Sequence, residues 1–166
     1  MSEDAALETL NAVKYLYLHQ LSEPRDNSLR LVVQEAVENR SAPVRPTLPE
    51  LPELAKILKG SWPIATIEGC RTFELYWESY AAYLVTEEMV GSTAVGRYED
   101  EVFKGKLLRV YSKSHFLDHL ARDTGGHTQP IQHYKLICLN HLIDVAAYAP
   151  PEIRVSTGAP RSLRSQ

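Results

Sequence analysis

The sequence predicts an α+β protein: an N-terminal helical hairpin, a proline-rich connector, then a mostly antiparallel, curved sheet of about five strands with one inserted helix. Three observations predict it. Apolar residues before residue 40 recur at spacings of three and four, as on one face of a helix. Pro43, Pro46, Pro49 and Pro52 then punctuate a short stretch, and after Pro63 the apolar spacing drops to two, the period of a strand with one buried face.

Residues 1–40 form the expected hairpin. Ala6, Leu10, Val13, Tyr17 and Leu21 make one apolar stripe, and Leu29, Val32, Val33, Ala36 and Val37 make a second. Between them Ser22 to Ser28 breaks the pattern, and Asp26, Asn27 or Ser28 can cap the second helix by accepting its free amide hydrogens. Residues 41–63 read as a stiff connector, because each proline removes a donor and biases its predecessor toward extended geometry. Within it Pro52 suits the start of a short helix, Glu53 to Lys59, which Gly60 ends.

Residues 64–156 carry the sheet. Phe73, Leu75 and Trp77 alternate with Glu74, Tyr76 and Glu78, and Tyr80 to Thr86 is a second β-favouring run. Glu101 to Tyr111 reads as a hairpin turning at Gly105. Ser114 can cap a helix from His115 to about Arg122, ended by Gly125-Gly126. Ile131 to Ala147 and Ile153 to Val155 supply the remaining strands, and residues 157–166, poor in apolar side chains, read as a loose tail. The whole is expected to make one compact domain.

Composition narrows the function classes. With 44% hydrophobic and 23% charged residues among 166, the chain resembles globular proteins and not disordered ones. No apolar run approaches the ~20 residues that cross a bilayer, and the acidic start Met-Ser-Glu-Asp is unlike a secretory leader. The expected location is the cytoplasm, with no membrane partner. A formal charge of −3 argues against a nucleic-acid partner, which calls for a basic face. Cys70 and Cys138 are too far apart for a metal or redox pair, and the apolar run around Cys138 marks a buried, inert thiol.

Five of the six histidines fall between His115 and His141. Two bracket an acid in the run His115-Phe116-Leu117-Asp118-His119. On a helix His115 and His119 lie one above the other and could offer two imidazole nitrogens to one ion. The run resembles the inverted zincin motif, His-x-x-Glu-His, over these five residues. The resemblance implies zinc or another divalent metal on His115 and His119, with the acid, here Asp118, as general base. His127, His133 or His141 would have to supply a third ligand. Phe116, Leu117 and Leu120 define the buried stripe of that helix, which turns His115 and His119 toward solvent.

Other chemistry is thinner. Ser112 and Ser114 lie near His115 and Asp118, but no Gly-x-Ser-x-Gly elbow surrounds them. The glycines of Thr124 to His127 follow a helix instead of opening one, so they are poorly placed to hold phosphate. Nine tyrosines against three phenylalanines favour half-wet surfaces, and Tyr76, Trp77, Tyr80, Tyr83 and Tyr111 are the expected interface. The preferred reading is a small binding or regulatory protein, immunity or antitoxin-like in kind, that acts by contact with another protein and without catalysis. Self-association is left open. The alternatives are a metal-dependent hydrolase built on the His-x-x-Asp-His helix and a carrier holding a small ligand in its sheet.

Overall fold

The computed structural model describes residues 3–41, 61–92, 100–123 and 130–158. Helix α1 (Glu3–Ala12) leads into strands β1 (Tyr15–Ser22) and β2 (Leu29–Glu38). A two-residue strand β3 (Ile64–Ala65) precedes β4 (Arg71–Trp77), β5 (Tyr80–Glu87) and a short helix α2 (Glu88–Ser92). Then come β6 (Val102–Lys104), β7 (Leu108–Lys113), helix α3 (His115–Asp123), β8 (Gln132–Ile137), β9 (His141–Ala147) and β10 (Glu152–Thr157).

The α+β class and the antiparallel pairing stand as expected, but the N-terminal helical hairpin does not. Only its first helix forms, and it stops at Ala12. Residues 15–22 and 29–38 are an antiparallel pair of strands. The reason lies in how burial distorts periodicity. Leu29 to Val33 are all buried, so β2 is covered on both faces, and Leu31, Val32 and Val33 run on after Arg30 without alternation. In β1 the pairing register shifts between Leu18 and Gln20. That bulge inserts one residue, so Tyr17 and Leu21 of the expected stripe lie on opposite faces of the strand, Tyr17 opposite Gln34 and Leu21 opposite the core residue Leu31. The expected cap residues instead form the hairpin loop: Asn27 adopts φ 58°, and the Ser28 hydroxyl bonds the Arg25 backbone.

The strands form two five-stranded sheets where one was expected. The first runs β1-β2-β4-β10, with β3 pairing the far end of β2, and the second runs β5-β9-β8-β7-β6. Recruiting β1 and β2 from the segment read as helical supplies the second layer. The sheets face each other across one core in which Leu16, Leu31, Val33, Phe73, Leu75 and Trp77 meet Leu108, Tyr134, Leu136, Ile143 and Val145. Trp77 and Tyr134 touch across the gap, ring centroids 5.8 Å apart. Helix α1 packs against β10 and β7 and adds Leu10 to the same core, as does Val13 just after it.

Several local expectations hold. Gly105 sits at the β6–β7 turn with φ 93°, and the Ser114 hydroxyl accepts the Leu117 amide at 3.2 Å as the cap of α3. The connector between residues 42 and 60, the short helix Glu53 to Lys59, the Gly125-Gly126 stop and the tail beyond Gly158 lie outside the described residues. Thr157, read as tail, is the last residue of β10. Among the described residues no helix is long and apolar enough to cross a membrane.

Candidate functional site

The histidine pair resolves into two separate surface contacts. In α3, His115 Nε2 lies 2.6 Å from Asp100 Oδ1, and Lys113 Nζ reaches the other carboxylate oxygen at 3.0 Å. One turn on, His119 Nε2 turns to Asp123 at 3.4 Å. Asp118 is exposed. Among the described residues no three His, Cys, Asp or Glu side chains gather as metal ligands do. Of the expected third ligands, His133 faces into a buried network, His141 sits at the β8–β9 turn and His127 is outside the described residues.

Lys113, then His115, hold the Asp100 carboxyl down from 3.8 to about 2. A lowered carboxylate stabilises the fold fully above its unfolded value, and that contribution disappears as the pH falls through the folded value. Side-chain NMR titration should therefore place Asp100 near 2, and Lys113→Ala should raise it more than His115→Ala. An unshifted Asp100 would show that neither cation holds it in solution.

A different histidine makes the most ordered polar array. His133 on β8 lies opposite Ala146 of β9 and Tyr111 of β7, on the face of the second sheet away from the core. The start of helix α3 reaches that face, with Phe116 and the capping Ser114 both against His133. His133 Nδ1 is 2.7 Å from the Ser114 hydroxyl and Nε2 is 2.9 Å from Asp144 Oδ1, while Lys135 Nζ reaches the same oxygen at 3.2 Å. Ser114, His133 and Asp144 are only 3%, 2% and 6% exposed. The imidazole is stacked on Tyr111 at 4.3 Å and flanked by Phe116 at 5.1 Å.

Serine, histidine and aspartate in line have the order of a nucleophilic triad. What surrounds them serves a different role. With Asp144 an acceptor-only carboxylate, Nε2 carries the hydrogen and Nδ1 accepts from Ser114. That hydroxyl also caps α3. The first-turn amides that would bind an oxyanion are occupied: His115 N donates to Glu101 Oε1 at 2.9 Å, Leu117 N to Ser114 Oγ, and Asp118 N to the Ser114 carbonyl. A buried serine under a clamped ring and beside filled donors offers no approach to a carbonyl substrate. The array fastens α3 to the sheet. The sequence singled out Ser114 but paired it with helix neighbours. The overlooked signal was a histidine and an aspartate at strand positions between core residues, a polar row that meets the start of α3.

The expected interface aromatics divide. Trp77 and Tyr111 are buried in the chain, so neither ring is offered to a partner; this corrects their assignment as surface. Both residues sit on regular strands and obey the alternation, but Trp77 packs on Tyr134 of the opposite sheet and Tyr111 packs between Phe103 and His133. Tyr76 is half-exposed and bonds the Arg25 guanidinium. The hydroxyls of Tyr80 and Tyr83 both donate to Glu23 Oε1 at 2.9 Å, tying the β1–β2 loop to β5. Desolvation, then Glu23, pushes the Tyr80 phenol up to about 12. Burial likewise pushes the Cys138 thiol up to about 12, which leaves it unreactive near neutrality.

The four sheet edges are not alike. At β1, the Asn140 side chain bonds both the amide and the carbonyl of Leu18, at 2.9 and 3.0 Å, and Leu139 N reaches Leu16 O at 2.8 Å. The edge strand β10 carries Glu152 and Arg154 outward and is packed by α1. Strand β6 has three residues and ends in Lys104. Strand β5 has eight, pairs only β9 among the described residues, and contains neither lysine nor arginine. Its Leu84 is 50% and Val85 38% exposed, and the exposure continues into Met89 at 68% and Val90 at 65%.

No protein-family model, curated protein or solved structure matches this chain.

Proposed function

We propose that this chain is a cytoplasmic binding or regulatory protein that acts by holding another protein along the β5 edge and α2. One observation carries the reading. Sheet edges expose unpaired backbone donors and acceptors, and proteins blunt them with charge, bulges, short strands or a cover. Three edges here are treated in those ways, while β5 is long, shifts register only at its start between Tyr80 and Ala82, lacks a basic gatekeeper and carries contiguous exposed apolar side chains beyond that point. An apolar patch continuous with an open strand marks an interaction surface. Tyr80 and Tyr83 support the patch: their hydroxyls both engage Glu23 of the β1–β2 loop, which ties the start of the strand down.

A photo-crosslinking side chain placed at Leu84 should join one discrete protein in native lysate. The same group at Glu152, on the outer face of the other sheet, should not. Leu84→Lys combined with Met89→Lys should abolish capture while the melting temperature stays within a few degrees, since exposed substitutions cost about 0.5 kcal/mol or less. Equal capture at both positions, or capture that survives the double substitution, would remove this reading.

A further inference from the structure

We infer that the occupant of the β5 edge is an extended segment of a partner protein, apolar in its middle and carrying lysine or arginine at both ends. The inference rests on the binding reading of β5 and adds the chemistry of the ligand. The open strand is acidic at each end. Glu78 precedes it, with Glu23 drawn against Tyr80 and Tyr83; Glu87 ends it and Glu88 follows. From Glu78 to Val90 there is no lysine or arginine. Between the acids, Ala82 to Thr86 presents small, apolar and hydroxyl side chains.

The topology fixes how such a segment would sit. Tyr80 N is already taken by the Asn27 carbonyl at 3.0 Å, so a new strand would pair with β5 beyond that point, from about Ala82 onward. Side chains of an added strand alternate between the two faces of the sheet. One set would continue the row that ends in Leu84, the other the row that ends in Tyr83 and Val85. Its basic ends would meet the glutamates, which raises the association rate and rejects acidic competitors more than it adds affinity. A second copy of this chain fits poorly. Antiparallel self-pairing of β5 would set Glu87 and Glu88 of one copy near Glu78 and Glu23 of the other with no cation between them.

Selection of a displayed library of random dodecapeptides on the full chain tests this. Enriched peptides should show period-two apolar residues between basic ends and should lose binding to Leu84→Lys. N-methylation of the peptide amides that face β5 should weaken binding about tenfold, the scale of one hydrogen bond lost in a desolvated ladder. Methylation of the alternate amides should not. Glu78→Lys with Glu88→Lys should reverse the preference toward acid-ended peptides.

Leu84-dependent peptides that are acidic, or indifferent to N-methylation, would overturn this inference and leave the binding reading intact. Peptides indifferent to Leu84→Lys would count against both. An empty selection would overturn the inference alone, because the crosslink at Leu84 reports separately. A dimer that dissociates on Leu84→Lys would replace the basic segment with a second copy and overturn it as well.

Discussion

Asp144→Ala should destabilise the protein by about 1–3 kcal/mol, the cost of leaving a buried donor without its acceptor. It leaves His133 Nε2 without its acceptor beneath α3 and frees Lys135 from its 3.2 Å contact. Ser114→Ala should cost about 1–2 kcal/mol, because it removes a helix cap and one buried hydrogen bond while leaving the aspartate paired. The joint replacement His133→Phe with Asp144→Leu should recover most of the loss, since removing both partners strands no polar group. Denaturant unfolding of the four proteins measures this. A fluorophosphonate probe should leave the native chain unlabelled. Stoichiometric labelling at Ser114, with stability unchanged in Asp144→Ala, would turn the array from a fastener into an active site.

The second large effect concerns the β6–β7 turn. Asn11 Oδ1 accepts three successive amides, Lys106, Leu107 and Leu108, at 2.8, 2.8 and 3.0 Å. Lys106 Nζ returns to the Val13 carbonyl at 3.2 Å. The turn presents those amides because Gly105 holds φ 93°, and a Cβ there would lie 2.1 Å from the Leu108 carbonyl oxygen. Gly105→Ala should therefore cost at least about 3 kcal/mol, combining left-handed strain with a backbone clash. Asn11→Leu should cost about 2–4 kcal/mol by orphaning donors against an apolar side chain. The double variant should lose less than the sum, because a displaced turn no longer needs its acceptor. Strict additivity in thermal or denaturant unfolding would show that the two act apart.

Much of the chain after Arg71 was legible from local pattern. The alternation of Phe73, Leu75 and Trp77, the glycine at the β6–β7 turn and the serine before α3 all report their own backbone, so the strand, the turn and the cap followed from residue types alone. The N-terminal pair misled for a reason outside its own sequence. Burial of β2 on both faces erased its alternation, and a bulge in β1 put Tyr17 and Leu21, four apart as on a helix, on opposite faces of a strand. The site suffered in the same way. His115 and His119 are neighbours on a helix and so were visible together, yet Asp100 and Asp123 draw them apart. His133, Asp144 and Ser114 come from three separate elements, and sequence spacing carries no trace of their meeting.

Local chemistry thus settled where the chain turns, which strands have one wet face and that His115 and His119 point toward water, since each depends on residues a few positions apart. Pairing across the sandwich settled the rest: that the tyrosine and tryptophan rings divide between core and rim, that a serine, a histidine and an aspartate share a hydrogen-bonded line, and that β5 pairs on one side only among the described residues. An edge is a property of what lies beside a strand, and no strand encodes its own neighbour's absence.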